Sequence, residues 1–150
     1  MELEKLIPTL QVAVGPVILI SGVSLLLLSM TNRLGRAIDR ARLLAEIYRK
    51  GTDEDRARAK GQMDILWQRA RLIRAGIVWG AAAVLLVAVL IISLFISTLL
   101  GWETGIIIAI IFGLCMAALI MALIYFIWDI NLSLQALRLE MNFESHEPRK

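Results

Sequence analysis

Cysteine and histidine are nearly missing from this chain: its 150 residues hold one of each, Cys115 and His146. A lone cysteine closes no disulfide within the chain, and no pair of Cys or His residues stands at a zinc or redox spacing. Cys115 falls inside a long apolar stretch, where a thiol reads as a small packing residue. His146 falls in a polar tail and reads as solvated, so acid–base chemistry near neutral pH has little to draw on. There is no Gly-rich phosphate loop, no Ser-His-Asp pattern and no pair of carboxylates within an apolar stretch. These absences argue against an enzyme, and neither a cofactor nor a metal is expected.

The scarcity of charge is more informative. Charged residues make up 19% of the chain and hydrophobic ones 59%, against a charged share of ~25% in soluble domains. No charge stands between Lys5 and Arg33, between Arg74 and Glu103, or between Glu103 and Asp129. Each gap exceeds the ~20 residues that cross a hydrocarbon core. The expected fold is therefore an all-α membrane protein, one membrane domain with transmembrane helices at about 7–30, 75–100 and 105–128. The first stretch is not expected to be a cleaved leader: its flank, Met1 to Lys5, carries two Glu against one Lys, and no small-residue cleavage pattern follows.

Where charge is present, it is mostly positive and mostly in one place. Residues 31–74 hold twelve of the sixteen basic residues and six acids, a net charge of +6. The turn Gly101-Trp102-Glu103-Thr104-Gly105 has no basic residue. The positive-inside rule then places 31–74 and the tail 129–150 in the cytoplasm and the N-terminus outside, in a multi-pass protein of a cell inner membrane. Arg138, Arg149 and Lys150 in the tail agree, and Trp79, Trp102 and Trp128 lie towards span ends, where indoles prefer to sit.

The segment 31–74 reads as a long cytoplasmic helical hairpin between the first and second spans. Leu34, Ile38, Ala41, Ala45 and Tyr48 recur at helical spacing, as do Met63, Leu66, Ala70 and Ile73. Gly51 is a helix stop and Thr52 a helix start, followed by Asp53, Glu54 and Asp55 in the first turn. The first span should thus run on to about Lys50 and a second helix return from about Asp53, each arm projecting about 30 Å. Their narrow apolar stripe suggests pairing with each other or with neighbouring subunits. A helix is also expected to continue past Trp128 to about Met141, its Leu132, Leu134, Leu137 and Leu139 lying on the hairpin or the membrane surface.

Four features could carry function. The first is the run Asn32-Arg33-Leu34-Gly35-Arg36-Ala37-Ile38-Asp39-Arg40 at the inner end of the first span. Asp39 can pair with Arg36 or Arg42, and Arg42 with Glu46. A topology-setting charge cluster explains the arginines better than it explains Asn32 and Asp39. The run, together with the preceding Gly15-Pro16-Val17-Ile18-Leu19-Ile20-Ser21 and the later pair of spans, resembles a bacterial family of small membrane proteins of unknown function marked by N-R-x-x-R-x-x-D-R. The resemblance covers most of the chain, although only the nine-residue run is specific. It implies a membrane-embedded helical fold and supplies no activity.

The second feature is a polar line along the first span. At 100° per residue Ser21, Leu28, Asn32 and Asp39 fall within about 40°, with Leu25 and Ser24 close by. Such groups face protein or water rather than lipid. Two readings stay open. One is a helix-packing seam, which the frequency of small polar residues at helix interfaces favours. The other is a pore wall in a ring of subunits, with Leu25 and Leu28 as a hydrophobic constriction. Pro16 in the same span should kink it.

The third feature is small-residue spacing, Gly76 and Gly80 on the second span and Ala109, Gly113 and Ala117 on the third, which should serve close helix packing. The fourth is Asp129 at the inner end of the third span, level with Arg33 and Arg74 and expected to pair with one of them; Arg33, Arg36, Arg40, Arg74 and Asp129 thus form a charge cluster at the inner membrane face. Beyond the lipid bilayer itself, the basic hairpin suits anionic lipids or a cytoplasmic protein partner. Nucleic acid is not expected, because the hairpin begins and ends in the membrane and lacks interleaved exposed aromatics. The functional expectation is a homo-oligomer, with an ion-conducting pore lined by the first helix set against a membrane adaptor or scaffold acting through the basic hairpin.

Overall fold

A computed structural model describes residues 3–101 and 105–144, with side chains at 7–8, 10–101 and 105–133. Trp102, Glu103 and Thr104 of the turn, His146, Arg149 and Lys150, and the side chains of Leu134, Leu137, Arg138 and Leu139 lie outside the described residues. The described elements are three helices, α1 (Leu3–Lys50), α2 (Asp53–Leu100) and α3 (Gly105–Glu144). α1 and α2 have 48 residues each and α3 has 40. At 1.5 Å per residue the longer two measure roughly 72 Å, well beyond a hydrocarbon core of ~30 Å. Each contains a stretch long and apolar enough to cross a membrane, and within those stretches only 11–17% of residues are buried by the chain itself. α1 runs without a break through Pro8 and Pro16. The helix expected past Trp128 is the continuation of α3 itself, which runs without a break through Asp129 to Glu144.

The helix ends follow from local chemistry. Arg49 and Lys50 occupy the last turn of α1, where cations meet the negative end of the helix dipole. The Gly51 amide donates to the Ile47 carbonyl at 2.8 Å. A Cβ at Gly51 would stand 2.8 Å from both that carbonyl oxygen and the Asp55 Cβ, so the close approach of the two helix ends needs glycine here. Thr52 then caps α2 reciprocally. Its hydroxyl oxygen accepts from the Asp55 amide at 3.4 Å, while the Asp55 carboxylate accepts from the Thr52 amide at 3.1 Å and from its hydroxyl at 2.8 Å. Those hydrogen bonds hold the Asp55 carboxyl below its ordinary pKa. The Arg56 Nε donates to the Tyr48 carbonyl at 3.2 Å, tying the first turn of α2 to the end of α1. Gly101, with φ of 64°, ends α2 in the left-handed conformation that only glycine adopts freely.

Burial along each helix repeats every seven residues. One such series of buried positions is Val23, Met30, Ala37 and Leu44 on α1, Ala59, Leu66, Ile73, Gly80 and Val87 on α2, and Cys115, Ala122 and Asp129 on α3, and Gly76, Ala83 and Leu90 form a second on α2. A seven-residue repeat is the mark of knobs-into-holes seams. By contact the chain divides into two compact units, Met1–Ser29 with Ile77–Ala122, and Met30–Gly76 with Leu123–Lys150.

In the first unit small residues make much of the seam, beside Val23, Val87 and Leu90. Ala83, Cys115, Ala118 and Ala122 are buried, and the Cys115 thiol lies 3.6 Å from the Ala83 carbonyl oxygen. A Cβ at Gly80 would stand 2.7 Å from the Leu27 Cδ2. The ridge Ala109-Gly113-Ala117 does not pack on the rest of the chain: all three residues are exposed, and a Cβ at Gly113 would meet nothing within 4 Å. The reason is angular, since Gly113 stands about 160° round the helix from Cys115.

In the second unit α1 and α2 share a buried cluster of Ala37, Leu44, Ala59 and Leu66, with Ala41 and Met63 against it. Gly76 packs tightly as well: a Cβ there would stand 2.7 Å from the Met30 Cε and 3.3 Å from the Tyr125 Cβ.

Candidate functional site

The second unit contains the one buried charged residue among those described, Asp129, whose exposure is 1%. The Arg33 Nη1 donates to the Asp129 Oδ2 at 2.8 Å. The Arg69 Nε lies 3.5 Å from the Asp129 Oδ1, close enough to pair by charge, though neither atom forms a hydrogen bond. The Arg33 guanidinium also lies 5.3 Å from the centre of the Phe126 ring, a cation–π contact that helps a partly desolvated cation. The Ser133 hydroxyl donates to the Asp129 carbonyl at 2.8 Å. One carboxylate on α3 thus gathers a guanidinium from α1 and another from α2. The two cations on one anion leave the group with a net positive charge.

All three residues stand where the seams require. With Ile73 and Leu66 as one set of seam positions on α2, Arg69 is the intervening seam position three residues after Leu66. Arg33 bears the same relation to Met30 on α1, and Asp129 is itself a repeat of Cys115 and Ala122. Of the two arginines expected to pair with Asp129, Arg33 does so, whereas Arg74 is one residue past Ile73, therefore about 100° away, and is exposed with no ion pair among the described residues. Arg69 was not singled out from the sequence. The seven-residue repeat through Ala59, Leu66 and Ile73 is the signal that finds it.

The rest of the expected charge cluster lies outside this contact. Arg36 and Arg40 are exposed. Asp39 meets Arg42 at 4.0 Å, and Glu46 pairs with Lys50 at 2.6 Å rather than with Arg42. Such exposed pairs contribute little.

The polar line of α1 is exposed along its whole length. Ser21, Ser24, Asn32 and Asp39 are exposed, as are Leu25 at 70% and Leu28 at 58%. The Ser24 hydroxyl donates back to the Ile20 carbonyl at 2.8 Å, which lowers the cost of placing it in an apolar span. The buried seam Val23-Met30-Ala37-Leu44 lies about half a turn away on the same helix. The line is therefore not a packing seam within this chain. No group of three or more His, Cys, Asp or Glu able to hold a metal occurs among the described residues.

Three long apolar helices, tied by a buried carboxylate and two guanidiniums where the charge-free stretches end, define a multi-pass membrane protein. The chain belongs to the family described as protein of unknown function (DUF2721), whose model matches residues 13–139. No curated protein and no solved structure matches it.

Proposed function

We propose that the protein is a homo-oligomer of a bacterial inner membrane in which α1 of each subunit faces a shared axis and lines a path for ions. The carrying observation is the outward polar line of α1, directly opposite the seam that α1 uses within its own chain. A line bearing two hydroxyls, an amide and a carboxylate gains nothing from lipid tails. A neighbouring copy of the same face, or water held between several copies, satisfies it. A site of this kind forms most readily on a symmetry axis, because each subunit contributes the same residues.

In this reading Leu25 and Leu28 form the constriction, and Asn32 and Asp39 line the cytoplasmic mouth with Arg36 beside them. Asp129 does not touch the ion; bound to Arg33 and Arg69, it holds the inner ends of the three helices in place. Residues 31–74 lie in the cytoplasm with the tail, as the excess of Lys and Arg directs. The test is flux through the purified protein in sealed vesicles. Leu28→Asn should raise the leak of small ions, and a variant that folds, assembles and leaks no more than the parent overturns the constriction.

A second reading is an adaptor. Arg36 and Arg49 are exposed and make no ion pair among the described residues, so the basic segment offers free cations to an acidic partner. Reversing Arg36 and Arg40 to Glu should abolish capture of such a partner.

A further inference from the structure

α2 and α3 of the second unit enclose a groove of about 450 Å³ lined by Gln68, Arg71, Leu72, Ala75, Tyr125 and Leu132. Its position is set by the charge pattern. Leu72 and Ala75 lead into the charge-free stretch of α2 that begins after Arg74, and Tyr125 lies four residues before Asp129 ends that of α3. The Tyr125 and Trp128 rings meet edge to face at 6.0 Å, an aromatic pair at the depth where such rings mark the membrane–water boundary. One end of the groove is thus polar, with Gln68 and Arg71, and the other is apolar.

The charges nearby are not balanced. Asp129, the carboxylate of the adjoining α3 turn, is already occupied by Arg33 and Arg69. Arg71 is exposed and has no hydrogen bond or ion pair among the described residues, and the same holds for Arg74 one turn on. A second groove of about 360 Å³, lined by Leu43, Glu46, Ile47, Lys50 and Gly51, offers a contrast. There the two charged groups already pair with each other at 2.6 Å.

We infer that the groove of Gln68, Arg71, Leu72, Ala75, Tyr125 and Leu132 holds one anionic phospholipid, its phosphate on Arg71 and the start of an acyl chain on Leu72, Ala75 and Tyr125. Basic pockets between membrane helices suit anionic headgroups for this reason: the cation meets the phosphate while the apolar wall replaces contacts with other lipids. A zwitterionic lipid brings its own ammonium and gains less. The site uses no residue of α1, so it stands or falls apart from the ion path.

The full chain in nanodiscs of phosphatidylcholine with a minor share of phosphatidylglycerol provides the test. After gentle release into detergent, native mass spectrometry counts the lipids retained and the subunits together. The parent should retain phosphatidylglycerol in preference to phosphatidylcholine. Arg71→Gln should lower that preference roughly fivefold, Arg71→Lys should keep most of it, and Ala75→Trp should expel the lipid. Lys60→Gln, which removes an equal charge elsewhere on α2, should change nothing. An equal loss in Lys60→Gln would show diffuse attraction and overturn the site. So would displacement of the lipid by inorganic phosphate. Loss of subunits in Ala75→Trp with the lipid ratio intact would assign the groove to a second copy and overturn it too.

Discussion

Replacing Asp129 by Asn removes the charge that holds two guanidiniums at a buried point. Asp129 is 1% exposed, whereas the side chains of Arg33 and Arg69 are 28% and 22% exposed. Breaking a buried ion pair by deleting one partner costs ~3–5 kcal/mol, because the other charge is left uncompensated. Here the arginines are partly exposed and can swing their heads towards water. The loss for Asp129→Asn should therefore fall near the lower end, about 3 kcal/mol. The geometry also ranks the partners. Arg33→Ala loses the 2.8 Å hydrogen bond and the contact with Phe126, and Arg69→Ala loses only the 3.5 Å approach. Arg74→Ala, exposed and unpaired among the described residues, should lie within about 0.5 kcal/mol of the parent. Reversible unfolding in mixed micelles, followed by helical signal, measures the series. The reasoning fails if Asp129→Asn is neutral, or if Arg74→Ala costs as much as Arg33→Ala. Replacing Asp129, Arg33 and Arg69 together by apolar residues of similar volume should recover much of the loss.

The two kinds of glycine should behave oppositely in the same unfolding assay. Gly76→Ala forces the Met30 side chain and the Tyr125 Cβ to yield, at a cost of about 1–3 kcal/mol. Gly113→Ala meets nothing within 4 Å and should stabilise its helix by about 0.5–1 kcal/mol. The cap of α2 should depend on acid. The folded pKa of Asp55 is lowered, so its contribution is fully present above the ordinary carboxyl value and is lost as pH falls through the lowered one. Amide NMR signals of Thr52 and Asp55 should report that loosening in strong acid, and Asp55→Asn should remove the pH dependence.

The helices and their ends were legible in the sequence because each rests on a local signal. Charge gaps longer than a bilayer pointed to three helices long and apolar enough to cross a membrane, and Gly51 and Thr52 located the change from α1 to α2 at Lys50 and Asp53. The inward faces were less legible. In a soluble helix the apolar stripe names the buried side, but here both sides of the span are apolar: Leu25 and Leu28 face outward, while Val23 and Met30 are buried. Hydropathy therefore did not distinguish the Cys115-Ala118-Ala122 seam from the Ala109-Gly113-Ala117 ridge, which carries residues of the same size on the opposite face. The seven-residue repeat does distinguish them. It also explains why Asp129 met Arg69, a seam residue, and not Arg74, although both lie close to the start of the charge-free stretch of α2. The polar line of α1 was visible in the sequence; that it faces away from the chain's own seam required the structure.

The most direct test of the account is particle averaging of the full protein in lipid nanodiscs, with subunit number read from native mass. The account predicts a closed ring with Ser21, Leu28 and Asn32 of every subunit turned towards the axis. A monomer, or an assembly whose axis is lined by α3 with the polar line of α1 left in lipid, would contradict it.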